Sequence, residues 1–330
     1  MKLKKEYILL SIVIIVLSVY LIMRTEDRTQ YQLPAVPPVA AKDISKLQIT
    51  RNQVTTVINK KDDKWFIAPE EWPADGDKIK DMLKAIEDLT LTALVSESRS
   101  YNLYDLDPEK KITVKAWQGE NLKRDVDLGK AASSFRHTFV KMAGDERVYH
   151  ARGNFRNNFD ISADDLRDKA VLTMNTAEIQ QIQISKDQQS LTLSKTPVPV
   201  AVEGSATEKK PEATPASGQQ TVWQAADGQP VDEAVVNQIL SAVGNLRCEK
   251  FINDRQKNDF TSPLFTLQLK GAQEYSLSIF ARTAENDTSY PAVSSGSDYP
   301  FLLSAGQADK IMKDPIKAPK APESGEKETK

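Results

Sequence analysis

The sequence has one cysteine, Cys248, and two histidines, His137 and His150, in 330 residues. A lone cysteine excludes an intrachain disulfide framework and any multi-cysteine zinc or iron–sulfur centre. The histidines fall on different expected strands, with no cysteine or acid at ligand spacing, so no metal site is expected. Neither stands beside a serine or cysteine in a nucleophile pattern such as G-x-S-x-G. An excess of one charge is also missing. Lys and Arg total 44 against 46 Asp and Glu, a net charge of −2, which argues against a dedicated nucleic-acid binder. The 13 glycines are scattered and form no phosphate-cradling Walker or dinucleotide loop. No cofactor is therefore expected, and no enzyme.

Apolar residues make up 40% and charged residues 27%, enough for folded cores in one large or two ordinary domains. One long apolar run is present, YILLSIVIIVLSVYLIM from Tyr7 to Met23. Its 17 residues would span about 25 Å as a helix, the short end of the membrane-spanning range. Lys2, Lys4 and Lys5 precede it, and no A-x-A-like cleavage site follows it. The pattern predicts an uncleaved transmembrane helix over 7–23, with residues 1–6 cytoplasmic and the bulk of the chain outside. The membrane is thus an expected partner, at the bacterial inner membrane. Residues 24–42 contain LPAVPPVAA and read as a proline-stiffened stalk.

Beyond the stalk the chain repeats itself. DISKLQITR at 43–51 matches EIQQIQISK at 178–186, aligning Ile44, Leu47 and Ile49 with Ile179, Ile182 and Ile184. A second short strand follows each, then a tryptophan (Trp65, Trp223), then Pro-x-Asp ending at Asp75 and Asp232. Next comes a helical apolar face. Ile79, Met82, Leu83, Ile86 and Leu89 match Val236, Ile239, Leu240, Val243 and Leu246. Asp75 and Asp232 fit as N-caps. An ordered series of this kind is the mark of internal duplication. Alternating segments after each helix read as antiparallel strands. Unit 1 is placed at 43–158 and unit 2 at 178–313, joined by a connecting helical segment at 159–177. Ser162 and Asp165 in that segment suggest a capping box. Residues 196–220 and 314–330 are rich in Pro, Ala, Glu, Ser and Lys and read as a disordered insert and a disordered tail. The expected fold is α+β: tandem duplicated units of antiparallel sheet plus one main helix, behind an N-terminal transmembrane helix.

Acidic pairs have structural explanations. Asp164 and Asp165 open a helical turn, where acids favour the helix dipole. Asp105 and Asp107 flank a turn, and Asp62-Asp63 form a hairpin tip. Cys248 reads as a small buried apolar residue. Asn286-Asp287-Thr288 matches a glycosylation acceptor. Lys110, Lys111, Arg147, Arg152, Arg156 and Arg167 read as a solvated basic face. Trp65 and Trp223 occupy equivalent repeat positions and are assigned to core packing. Trp72 and Trp117 break the symmetry and are the candidates for an exposed binding contact.

Several motifs follow in order: the tryptophan strand, the Pro-Ala-Asp helix start and Tyr-x-Leu-x-x-Leu-Asp-Pro at Tyr101–Pro108. Leu-Gly-Lys at Leu128–Lys130, Val148-Tyr149 and Leu-Arg-Asp-Lys at Leu166–Lys169 come after them. With these the chain resembles the membrane-anchored bacterial family called domain of unknown function 4340, over roughly residues 43–310. Where that family often has Tyr-Gly-Leu, this chain has Tyr-Asn-Leu-Tyr-Asp-Leu, an altered turn. The resemblance implies an envelope protein. Some relatives are linked to gliding-motility-type ABC transporter auxiliary subunits. It supplies no catalytic residues. The expected function is an anchored extracytoplasmic binding or scaffold protein, accessory to an ABC-type transport or envelope complex. A glycan- or peptidoglycan-binding module and a carboxylate-dependent glycan hydrolase are the alternatives.

Overall fold

A computed structural model describes residues 12–20, 31–187, 189–198, 220–282, 284 and 287–316. The chain divides into two compact units, Met1–Asp168 and Lys169–Lys330.

In the first unit, β1 (Lys46–Arg51), β2 (Val54–Lys61) and β3 (Lys64–Ala68) form a meander, followed by a two-residue β4 (Trp72–Pro73). The β1–β2 and β2–β3 turns are two-residue turns with positive φ at Asn52, Gln53, Asp62 and Asp63. That geometry matches the twist of the flanking strands. Helix α2 (Gly76–Glu87) follows, then β5 (Leu91–Ser96). The rest is β6 (Ile112–Gln118), β7 (Asn121–Ala131), β8 (His137–Met142) and β9 (Val148–Arg152). The nine strands form one sheet in the order β4-β3-β2-β1-β6-β7-β8-β9-β5. Asp75 caps α2, its carboxylate accepting from the amides of Asp77 and Lys78. Ile79, Met82 and Ile86 point from one face of α2 into the core with Leu47, Ile58, Val114 and Val140. Each such side chain contributes about 1.5–3 kcal/mol on leaving water. Short helices α3 (Arg156–Phe159) and α4 (Ala163–Leu166) bury Phe159 and Leu166 in the same core.

The second unit starts with β10 (Ala170–Thr173). It continues through β11 (Gln181–Lys186), β12 (Gln189–Val198), β13 (Gln220–Ala225) and α5 (Glu233–Gly244). After the helix come β14 (Asn245–Arg247), β15 (Lys250–Phe251), β16 (Phe265–Lys270), β17 (Glu274–Ile279), β18 (Ser289–Ser294), β19 (Phe301–Ser304) and α6 (Ala305–Ile311). Its main sheet runs β13-β12-β11-β16-β17-β18-β19-β15, and β10 with β14 forms a separate two-stranded sheet. Apart from β4, this is the strand order of the first unit. Asp232 caps α5 through the amide of Ala234, and Val236, Ile239, Leu240 and Val243 are buried.

Several expectations are corrected. The N-terminal helix α1 covers 12–20 among the described residues, about 14 Å of rise against a hydrocarbon core of about 30 Å. No described helix is long and apolar enough to cross a membrane, so the transmembrane helix expected over 7–23 is not found. Residues 7–11 and 21–23 lie outside the described residues. The class expectation, α+β behind such a helix, gives way to mostly antiparallel sheet in sheets of nine, eight and two strands. Period-two alternation fills most of each unit, and helical periodicity is confined to α2, α5 and short pieces.

The stretch at 31–40 is no free stalk, because Leu33, Val36 and Val39 pack on the first core. The segment read as a connector at 159–177 is shared between the two units. Thr196–Val198 continue β12 and pair with Gln220–Val222, so the expected disordered insert 196–220 is cut back at both ends. Residues 199–219 lie outside the described residues, as do Asn286 and 317–330. Of the expected tail, Ile316 bridges Val231 and packs on the second core.

Candidate binding sites

Trp72 lies at one edge of the first sheet. The Leu166–Lys169 motif runs beside it. Asp75 N donates to Leu166 O at 2.9 Å, Asp168 N donates to Pro73 O at 2.8 Å, and Ala74 bridges Arg167. This sets the Arg167 guanidinium 4.1 Å from the centre of the Trp72 ring. Arg167 is 2% exposed, with Asp164 Oδ1 3.5 Å from its Nη1. Trp72 is half-buried, and its Nε1 is buried without a hydrogen-bond partner. An internal cation therefore occupies one face of the ring. Trp117 is also half-buried, with Lys46 Nζ 4.8 Å over its ring. Strands β3, β2 and β1 stand between the two tryptophans, so the structure does not join them in one surface.

Three titratable groups with shifted pKa values, Asp127, Asp145 and Tyr149, sit in hydrogen-bonded clusters. Asp127 faces Thr113 and Lys141 in register across β6, β7 and β8. Its carboxylate accepts from Thr113 Oγ1 at 2.7 Å and Lys111 Nζ at 3.0 Å, with Lys141 Nζ at 3.2 Å. Burial pushes this carboxyl up, but the bonds from Thr113 and Lys111 and the two lysine charges outweigh burial and hold it below its ordinary value. Asp145 accepts from the Arg147 guanidinium and from Tyr149 Oη at 2.7 Å. The Arg147 bond is the main cause of its depressed pKa. Burial, then the bond to Asp145, pushes the Tyr149 phenol up to about 12.

The structure brings His137 and His150 together, which their sequence spacing did not suggest. Their rings stack with centroids 5.2 Å apart, and the row continues through Phe139 to Tyr104 at 4.9 Å per step. Burial, and then the charge of His137, lowers the His150 pKa. No group of three or more His, Cys, Asp or Glu side chains among the described residues is arranged to hold a metal ion. Cys248 is buried in the second core.

The second unit has a cleft of about 320 Å³. Its floor is Ile184, Leu191, Phe265 and Ile316, and its rim carries Lys186, Asp187, Asp227, Gln229 and Lys313. Asp232 N donates to Pro315 O at 2.7 Å, as Asp75 N does to Leu166 O. By that equivalence Gln229 takes the place of Trp72, and Ile316 the place of Arg167. Both of these counterparts, Gln229 and Ile316, line the cleft. Sequence reasoning missed this cleft, because its walls come from four separate segments, 184–191, 227–229, 265 and 312–316.

The fold and these sites define a two-module antiparallel-sheet protein with an open cleft in its second unit. Residues 65–263 match the family described as Domain of unknown function (DUF4340), and the chain belongs to that family. No curated protein and no solved structure matches it.

Proposed function

We propose that this protein is a binding or scaffold component, accessory to an ABC-type transport or other complex of the bacterial envelope. The observation that carries the reading is the chemistry of its shifted groups. Asp127, Asp145 and Tyr149 are committed to lysine, arginine and each other rather than poised toward a cleft. A protein partner is favoured over a glycan because Arg167 already stacks on Trp72. The same pairing takes one face of Trp72 away from a sugar platform. The envelope setting and the transporter class rest on the family resemblance alone.

In-cell cross-linking of the full chain, followed by purification and identification of captured proteins, tests this. Reproducible recovery of transporter or envelope subunits is the expected result. Recovery of no protein partner would overturn the reading and direct attention to glycan binding and hydrolysis.

A further inference from the structure

Residues 31–40 lie on the first unit without joining a ladder. Leu33 and Val36 are half-buried and Val39 is 8% exposed. Two hydrogen bonds tie this arm and the turn after it. Arg124 Nη2 donates to Pro37 O at 2.6 Å, and Ala41 N donates to Glu87 Oε1 at 3.2 Å.

The sister unit shows what else this place can hold. Counting from Ile44 and Ile179, residues 34–39 are equivalent to 169–174. Counting from the N-caps Asp75 and Asp232, residues 87–91 are equivalent to 244–248. In the second unit those two stretches form a ladder. Leu172 pairs with Leu246 and Thr173 with Asn245. Met174 N donates to Gly244 O at 2.9 Å and Cys248 N to Lys169 O at 2.8 Å. In the first unit no backbone hydrogen bond joins 31–40 to 87–91 among the described residues. Pro37 and Pro38 stand at the places of Leu172 and Thr173 and have no N–H to give. The arm packs on the core through Leu33, Val36 and Val39, and its Pro37 carbonyl goes to Arg124 instead of to a ladder.

Arg124 is the second observation. It is 3% exposed, and no described carboxylate pairs with it. Among the described residues its guanidinium meets only the carbonyls of Lys123 and Pro37, and Nε is buried without a partner. The side chain lines a small apolar cavity with Ile86, Leu89, Phe155 and Phe159. A buried cation held by carbonyls alone is under-satisfied, and a carboxylate is a much stronger partner.

We propose that the slot beside residues 87–91 is a strand-acceptor site, which the arm closes and an extended, carboxylate-bearing segment of a protein partner fills. The incoming strand restores the ladder that β10 makes in the sister unit. Its acid, near the position of Pro37, takes over Arg124. This deepens the binding reading above and rests on it.

The probe is a fluorescent peptide with the sequence of residues 168–175, made also with Thr173→Glu. Both are titrated by anisotropy into the full chain and into a Val36→Ser/Val39→Ser variant, whose arm packs more weakly. The expected result is at least tenfold tighter binding to the variant. The glutamate peptide should be favoured at least fivefold. That preference should vanish with Arg124→Met or Arg124→Gln in the same background. Bound peptide should slow hydrogen exchange at residues 87–91. No binding to the loosened variant, equal affinity for the two peptides, or protection elsewhere overturns the proposal. Capture of an envelope partner in cells without peptide binding rejects the slot alone. Failure to capture any protein rejects the wider reading.

Discussion

Gly129 faces the carbonyl oxygen of Tyr104 so closely that a Cβ at residue 129 would overlap it. The Leu106 side chain would lie 3.0 Å from the same Cβ, and Leu106 is itself 2% exposed. Two motifs distant in sequence, Tyr101–Pro108 and Leu128–Lys130, are therefore parts of one contact. Gly129→Ala must push the turn off the strand. The expected cost is about 1–3 kcal/mol, the range for overpacking. Urea denaturation checks it, and a change below about 0.5 kcal/mol would show that the turn is not fixed here.

The two tryptophans should separate cleanly. Trp72→Ala uncovers the buried Arg167 guanidinium and removes most of a large ring, at about 2–4 kcal/mol. Trp117→Ala removes a half-buried ring under one lysine and should cost about 1 kcal/mol or less. Equal losses in the two variants would contradict the different burial of their contacts.

Asp127→Asn leaves Lys111 and Lys141 beside a neutral amide. Both lysines are partly exposed, so the expected loss is about 1–3 kcal/mol, below that for a fully buried pair. The pH dependence has a definite sign. The folded carboxyl titrates below its unfolded value, so its stabilisation is present above about pH 3.9 and is lost as pH falls through the folded pKa. Denaturation midpoints between pH 5 and 2 should fall less steeply in Asp127→Asn than in the parent. Parallel curves would mean that Asp127 contributes nothing to acid sensitivity.

Much of the frame was legible because it depends on local chemistry. The Pro-x-Asp caps, the apolar faces of α2 and α5, and the matched pairs Leu47 and Ile49 of β1 and Ile182 and Ile184 of β11 follow from spacing alone. The sites were less legible because they depend on register and long-range pairing. Asp127 lies opposite Thr113 and Lys141 only because β7 takes one particular alignment, broken by a bulge between Leu128 and Ala131. Arg167 meets Trp72 across a separation of 95 positions in the sequence. Composition misread residues 31–40, since prolines that forbid a ladder do not forbid packing. Hydropathy read 7–23 as one spanning helix, where only 12–20 is a described helix.

The histidine stack makes the last prediction. His150 lies between Phe139 and His137, half-buried, and its pKa is lowered by burial and then by His137. The unfolded chain therefore binds this proton more readily than the folded one. The contribution of neutral His150 is present above the ordinary histidine pKa of about 6.5 and is lost as pH falls through the lower folded value. Thermal melts of the full chain should show the first unit losing stability between pH 7 and 5. His150→Phe keeps a ring in the row and removes the titrating group, so its melting temperature should fall less over that interval. Protonation of His150 would also place a charge within the row that runs through Phe139 to Tyr104. Exchange protection around Tyr101–Tyr104 should then weaken on acidification in the parent and hold in the variant. An unchanged pH profile in His150→Phe would show that the stack carries no acid sensitivity.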